Sequence, residues 1–487
     1  MRRLIILSVT FLLVSCKVGP EYVRPSTDVP LHYKELKPAK SDTNWKIAQP
    51  NDAAVRGEWW LIFNDPVLND LEAQLNRSNQ TIINAQANYR NALQLVNEAR
   101  AAFFPTLSAN ALAVHTQGGA TKSTSSNSAN GIPSETSSAP TLFDNHSTLL
   151  DASWQPDLWG SVANAVDASI AGAQSSAALL ELTRLSTQAL LAQSYFQLAV
   201  FDANQIFLDE TVVQYKRILD ITQHQYDSGV AQRLNVVQAA ALLQNAESVA
   251  YNNGIARAQT EHAMAVLIGK APADLSMPSK PLKAVPPTIP IELPSTLLER
   301  RPDVAQAERL VAQANSNIGV AIAAYYPTFN LTTLAGYVGP GLNKWFKGPP
   351  YWTIYPELSE LIFDGGLRDA DLAAARATYD ANVANYRQSV LVAFQNVEDN
   401  LVALKTLAEQ SVVLKEAVEN DQHAVNITYN QYVAGIIDYV NVSNAKITEL
   451  ADEQTLVSIQ GLRMTTAVGL IIALGGGWDS ASLNTIK

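Results

Sequence analysis

Residues 101–107 read AAFFPTL, and residues 323–329 read AAYYPTF. Four of the seven positions are identical, and the other three exchange one aromatic or apolar side chain for another. A second pair follows the same logic. QYDSGVAQRLNVVQA (225–239) returns as QYVAGIIDYVNVSNA (431–445), with six of fifteen positions identical. The first pair is offset by 222 residues and the second by 206. A duplication accounts for both if the first copy holds about sixteen extra residues between its anchors. Residues 117–141, QGGATKSTSSNSANGIPSETSSAPT, supply that length. They are rich in Gly, Ser and Thr without an apolar period, and read as an exposed loop. The counterpart around GPGLNKWFKGPP (339–350) is shorter. A period near 210 is too long for a solenoid and indicates two structural halves of one architecture.

Each half has the same grammar. A helical stretch opens it, about 66–103 in the first half and 302–325 in the second. Pro105 and Pro327 stop these helices, because proline disfavours helix in the residue before it. A strand, a loop and a second strand follow. In TLLDASWQ (148–155), Leu150, Ala152 and Trp154 fall on one side, Asp151, Ser153 and Gln155 on the other. In the second half Trp352, Ile354 and Leu358 alternate with Thr353, Tyr355 and Glu357. The alternation suits a barrel wall with lipid outside and water inside, although a soluble hairpin would share it. Trp154, Trp159, Trp345 and Trp352 lie near the segment ends, where aromatic girdles belong. Two hairpins cannot close a barrel, so this reading requires several chains.

Long helices come next. Residues 162–226 and 367–432 lack proline and are dense in Ala, Leu and Gln. At 1.5 Å per residue each reaches roughly 100 Å. Gly229 and Gly435 break them at turns, and return helices cover about 233–269 and 438–474. The spacing of Ala373, Ala377, Ala381 and Ala384 allows close helix–helix approach. Residues 17–60, 271–296 and 475–487 are unrepeated, hold many of the prolines between them and have no long period, and fit segments wrapping the middle of the helical body. Gly475, Gly476 and Gly477 are expected to cap the last helix. The expected order is a signal peptide (1–15), a lipidated N-terminal segment (16–60), a first repeat (61–270), a linker (271–296), a second repeat (297–474) and a tail (475–487).

Composition narrows the function. The chain has 487 residues, a formal charge of −11 and only 16% charged residues. Without a basic face it is not a nucleic-acid binder. One Cys excludes an internal disulfide or thiolate cluster, and the six His form no HExxH or other paired ligand spacing. No Ser/His/Asp constellation, GxSxG or phosphate loop is present, so no enzyme is expected, and no cofactor. The opening MRRLIILSVTFLLVSC is a leader: Arg2 and Arg3, then an apolar run from Leu4 to Val14 too short to span a bilayer. Leu13-Val14-Ser15-Cys16 looks like a lipobox, with Cys16 acylated as the mature N-terminus. Lys17, where an Asp would favour inner-membrane retention, points to the outer membrane. No later apolar run reaches about 18 residues, so a membrane crossing must be a closed β-barrel.

At this point the chain resembles a family. Cys16-Lys17-Val18-Gly19-Pro20-Glu21-Tyr22 with Pro25 is similar to the mature start of outer-membrane factors of the OprM type, lipoprotein relatives of TolC. LLERRPDVAQAE (297–308), DLWG (157–160), FDGG (363–366) and ALGGGW (473–478) match further family motifs. The resemblance implies a mainly α fold with β: a trimeric 12-stranded β-barrel continued by a long α-helical barrel. Each protomer would give four strands and two long helical hairpins, with an internal two-fold repeat. It also implies partners, namely a periplasmic adaptor, an inner-membrane efflux pump and outer-membrane lipid. The turns Gly229-Val230 and Gly435-Ile436 correspond to the tips that meet the adaptor. Val440 matches the apolar constriction ring and Asn444 the acidic one. Relatives place Asp at that second position, where three charges would attract cations and repel one another. Three Asn would instead hydrogen-bond without charge. Asp438 is a candidate for a displaced acidic ring, and with Arg233 of the other tip it forms a candidate closing pair. The leading function is a passive exit duct for efflux of small toxic compounds. A type I protein-secretion duct and a structural periplasmic lipoprotein are the alternatives.

Overall fold

The computed structural model describes residues 17–30, 33–35, 58–117, 119, 122–125, 134–137, 142–282, 285–287, 289, 301–340, 346 and 349–476. The leader, Cys16, much of the N-terminal segment (31–32 and 36–57), part of the linker (283–284, 288 and 290–296), Trp345 and the tail beyond 476 lie outside the described residues. In chain order the elements are α1 (Pro66–Ser78), α2 (Gln80–Ala101), β1 (Thr106–Gln117), β2 (Lys122–Ser125), β3 (Ser134–Ser137), β4 (Leu142–Trp154), α3 (Ser161–Asp227), α4 (Arg233–Leu267), α5 (Pro302–Ala323), β5 (Thr328–Pro340), β6 (Pro350–Ser359), α6 (Leu367–Val433) and α7 (Tyr439–Ala473).

The duplication is written in the lengths. α3 and α6 have 67 residues each, and α4 and α7 have 35 each. Their starts are all 206 positions apart, whereas β1 and β5 start 222 apart. The extra residues therefore sit between the strands, as the sequence indicates. That loop is not wholly irregular: β2 and β3 pair antiparallel within it, Lys122 opposite Ser137. The opening helix of the first half is also two helices rather than one. Asn79 stands between α1 and α2 with ψ 120°. Its Oδ1 accepts the Ile82 N–H at 2.9 Å, and its Nδ2 donates to the Leu267 carbonyl at 2.8 Å. An Asn can cap a new helix in this way, and the long-range bond holds it there.

The chain forms two compact units: Met1–Val23, Leu93–Ala171 and Ala312–Ala381 in one; Arg24–Ala92, Gly172–Val311 and Asn382–Lys487 in the other. Each draws on both halves. The first unit carries an antiparallel sheet in the order β1-β4-β5-β6. The β4–β5 ladder joins the two halves, with Leu150 opposite Ala335. Cross-strand registers sort the side chains by face. Ala109, Leu150, Ala335 and Trp352 form one row, and Leu107, Ala152, Thr333 and Ile354 the next on the same face. Ser108, Asp151, Leu334 and Thr353 run on the opposite face. Leu107, Leu150, Trp352, Ile354 and Leu358 are all exposed. An apolar face of this kind is natural against lipid and a liability against water.

One tryptophan departs from the girdle reading. Trp159 lies beyond β4, half-buried and stacked on Tyr326 at 4.9 Å, with its Nε1 donating to the Pro327 carbonyl at 2.7 Å. Trp154 closes β4 and donates to the Phe103 carbonyl at 3.0 Å. Helices then start on carboxylate caps. Asp157 accepts the N–H groups of Val162 and Ala163 at 3.1 and 2.8 Å. Asp364 accepts the Gly366 N–H at 2.9 Å and Arg368 Nε at 2.6 Å. These are the acidic residues of DLWG and FDGG, and satisfying orphan N–H groups is the reason they stand there.

The second unit holds the larger core. Leu68, Leu75 and Ile82 are buried with Leu191, Met264, Ile268, Tyr386, Val390 and Leu470. Each such aliphatic side chain is worth about 1.5–3 kcal/mol on burial. Ala178, Ala192, Ala393 and Ala467 allow the close helix approach. Along α6, by contrast, Ala373, Ala377, Ala381 and Ala384 are exposed, so among the described residues that stripe packs on nothing in its own chain. α7 is long and apolar enough to cross a membrane by length and composition, its most apolar 18-residue window having a mean hydropathy of 1.5, although no unbroken apolar run in it reaches that length. Its apolar residues Leu450, Ile459, Met464, Val468 and Leu470 are buried in the helical core, which explains the hydropathy.

The chain entering from Cys16 is pinned. Lys17 pairs with Asp167, Val18 N–H donates to the Trp159 carbonyl at 3.0 Å, and Asn164 Nδ2 donates to the Val18 carbonyl at 2.8 Å. In the second unit, Glu398 accepts the N–H groups of both Lys34 and Glu35, at 2.7 and 3.0 Å.

Candidate functional site

Both hairpins end in the same hydrogen-bond pattern. Gly229 N–H donates to the Tyr226 carbonyl at 2.9 Å, and Val230 N–H to Gln225 at 2.8 Å. In the second half Gly435 N–H reaches Tyr432 at 2.9 Å, and Ile436 N–H reaches Gln431 at 2.9 Å. This paired closure needs a left-handed residue at the helix end. Gly229 and Gly435 supply it, with φ of 75° and 71°. No heavy atom lies within 4 Å of a Cβ built on either, so close backbone approach plays no part within the chain. Gly435→Ala is therefore expected to cost about 1–2 kcal/mol through backbone strain alone. The readout is a lowered thermal midpoint, with Gly435→Asn recovering part of it.

The tips are apolar and open. Val230 is 79% exposed and Ile436 72%, which places two aliphatic side chains at the ends of the helical body. Arg233 begins α4 and Asp438 caps α7; both are exposed. Among the described residues no ion pair joins them within the chain. The Asp438 side chain makes no cap bond, although its carbonyl accepts the Asn441 N–H at 3.0 Å. Val440, half-buried, and Asn444, exposed, lie one turn apart on one face of α7.

Other residues, which the sequence reading passed over, hold α7 in place. Tyr439 is buried at the helix start. The Arg217 guanidinium of α3 sits over its ring at 4.2 Å, and the Tyr432 ring of α6 meets it edge-on at 5.2 Å. This links the second hairpin to the first by a partly desolvated cation–π contact. The adjoining Ser443 is fully buried. Negative charge lies further up the same hairpin. Burial, then a hydrogen bond with Asp452, raises the Asp421 carboxyl above its ordinary range. Burial, then Glu449, raises Glu453 likewise. Lys446 pairs with Glu449 at 2.8 Å. The acidic band thus follows Asn444 instead of coinciding with it.

The chain belongs to the outer membrane efflux protein family, which it matches twice, over residues 72–270 and 293–476. The double match falls on the two halves. It has the fold class expected from its sequence, a trimeric channel with four strands and two long helical hairpins per protomer, and it serves as an outer-membrane exit duct for efflux rather than as an enzyme. The toluene efflux pump outer membrane protein TtgC of Pseudomonas putida is 30% identical over 98% of this chain and 96% of its own. The cation efflux system protein CusC of Escherichia coli is 26% identical over 98% and 99%. Among solved structures, the outer-membrane channel OprN superposes with a TM-score of 0.81 at 25% identity, over 95% of this chain and all of that one. The open-state MtrE channel of Neisseria gonorrhoeae gives 0.75 at 25% identity, over 96% and 99%.

Proposed function

We propose that the chain is the passive, lipid-anchored duct of a tripartite pump, conducting small toxic organic compounds handed over by a periplasmic adaptor and an inner-membrane pump. The observation that carries the reading is the open sheet. Among the described residues β1 and β6 have no partner on their outer edges within the chain, and exposed edges of such length demand pairing. Three copies supply twelve strands, a plausible closed barrel. The exposed Ala373–Ala384 stripe offers a surface where a neighbouring copy can approach closely. Cys16 carries the lipid, and the segment that follows it is pinned beside the start of α3 from Lys17 onward. Gly229, Val230, Gly435 and Ile436 meet the adaptor through the exposed aliphatic tips. Arg233, Asp438, Val440 and Asn444 line the periplasmic gate, Arg233 and Asp438 closing between neighbouring tips. An organic cargo is favoured because TtgC, the 30% relative, is a toluene pump protein. Among the described residues no group of His, Cys, Asp and Glu is arranged for a metal ion.

Deleting the gene is expected to sensitise cells to dyes, antibiotics or solvents, with wild-type restoring resistance. Unchanged sensitivity in a strain lacking any second duct would overturn the reading. At the gate, Asn444→Asp is expected to lower planar-bilayer conductance in the presence of divalent cations, because three carboxylates around one axis attract them. Identical conductance with and without divalent cations would remove Asn444 from the constriction.

A further inference from the structure

Within the second unit, α3, α4, α6 and α7 line an open cleft of about 730 Å³. Its lining follows the duplication. Ser194 and Asn400, Gln259 and Thr465, and Ala263 and Gly469 are pairs related by the 206-residue shift. The volume lies within the range of small-molecule sites, about 300–1,000 Å³. No lining residue is ionisable. The amides of Gln193, Gln197 and Gln259 and the hydroxyl of Ser194 have no protein hydrogen-bond partner among the described residues. The Asn400 amide nitrogen is committed to the Asn396 carbonyl at 2.6 Å, while its oxygen lies over Gly469, 2.6 Å from where a Cβ would stand. Gly469 thus keeps that oxygen in the cavity. Phe201 adds one aromatic surface.

We propose that this cavity is a binding site for small uncharged aromatic compounds bearing amide or hydroxyl groups. The inference rests on the reading of the chain as a solute duct. A neutral ligand gains hydrogen bonds from free amides and stacking from Phe201. An ion would find no countercharge in the lining to offset whatever hydration it gives up there. The site holds solute transiently in the wall of the duct, and its selectivity is against charge.

The test uses the full-length trimer purified in detergent and two probes of one shape, 2-naphthamide and 2-naphthoate, read by their fluorescence. Saturable binding of 2-naphthamide is expected, with 2-naphthoate about tenfold weaker or more, the signature of a site that rejects charge. Thr466→Phe intrudes on the cleft and should weaken binding, as should Gln197→Glu, both while the trimer persists on native electrophoresis. Equal binding of the two probes, no saturable 2-naphthamide signal, or undiminished binding by an intact Thr466→Phe trimer each overturns the site. Complementation of the deletion strain by wild-type protein is scored in parallel. Resistance restored without probe binding sinks the site alone, whereas failed complementation sinks the duct reading itself.

Discussion

Gly336→Ala is expected to abolish the assembled channel. Gly336 lies in β5 opposite Leu149 of β4. A Cβ added there would stand 2.0 Å from the Thr148 carbonyl oxygen and 2.9 Å from the Leu149 Cα. Both obstacles are backbone, so no side chain can rotate out of the way. The β4–β5 ladder is the seam between the first and second halves of the sheet, and relieving the clash means parting it. Each half would then hold one two-stranded hairpin, which is marginal at best alone. Closure around the axis depends on every ladder, so one parted seam per protomer opens the barrel in three places. The measurement is the fraction of protein migrating as a heat-modifiable trimer in outer-membrane extracts, expected to fall to background. Gly254→Ala is the control. It sits mid-α4 with nothing within 4 Å of the added methyl. It should stabilise by up to about 1 kcal/mol through helix propensity. A Gly336→Ala trimer at wild-type level would refute the seam argument.

The same seam shows what sequence can reveal. The copies AAFFPTL and AAYYPTF, with the 222 and 206 offsets, locate the strands, the loop insertion and helices that end within a residue or two of expectation. Those features are local: proline stops, glycine turns and long uninterrupted helical composition. The misses depend on contacts distant in sequence. Asn79 breaks the first helix partly through a bond to Leu267, 188 positions away. The Ser-Asn pair there is a visible cap signal, overridden by the apolar period on both sides. Trp159 resembles a girdle residue in sequence, and only its stacking on Tyr326 shows otherwise. Ala373, Ala377, Ala381 and Ala384 are legible as a stripe that permits close helix approach, but that they stay exposed on their own chain is not. At the hairpin tips, the turn glycines are legible because a left-handed residue is a local requirement. Arg217 is not, because its partner Tyr439 lies on the other hairpin.

Glu72→Gln is expected to make the protein more stable, increasingly so as pH rises. Glu72 lies in α1 between Leu71 and Leu75 and is fully buried. Neither carboxyl oxygen has a hydrogen-bond partner among the described residues. Burial alone pushes its pKa up from 4.5 to about 9. At neutral pH the folded protein therefore holds a proton that the unfolded chain has released. The sign follows directly. Between 4.5 and about 9 the native state binds more protons than the unfolded state, so stability falls as pH rises through that window. It levels off above the folded value, where the buried carboxylate is charged. Gln keeps the shape of the protonated acid, exchanges its single O–H donor for an amide with two N–H donors, and cannot titrate, so the slope disappears. At pH 7.5 the difference is on the order of 4 kcal/mol, since each pH step of one above the unfolded value is worth about 1.4 kcal/mol. Glu72→Leu should gain further, because it also removes two unsatisfied buried oxygens. Thermal midpoints of the purified trimer at pH 5, 7.5 and 9, at one scan rate, decide the matter. The expected pattern is a gap between Glu72→Gln and wild type that is small at pH 5 and widens to pH 9. Parallel curves across the three pH values would mean that Glu72 is ionised and paired in the folded channel, and that α1 is not where the chain carries a buried proton.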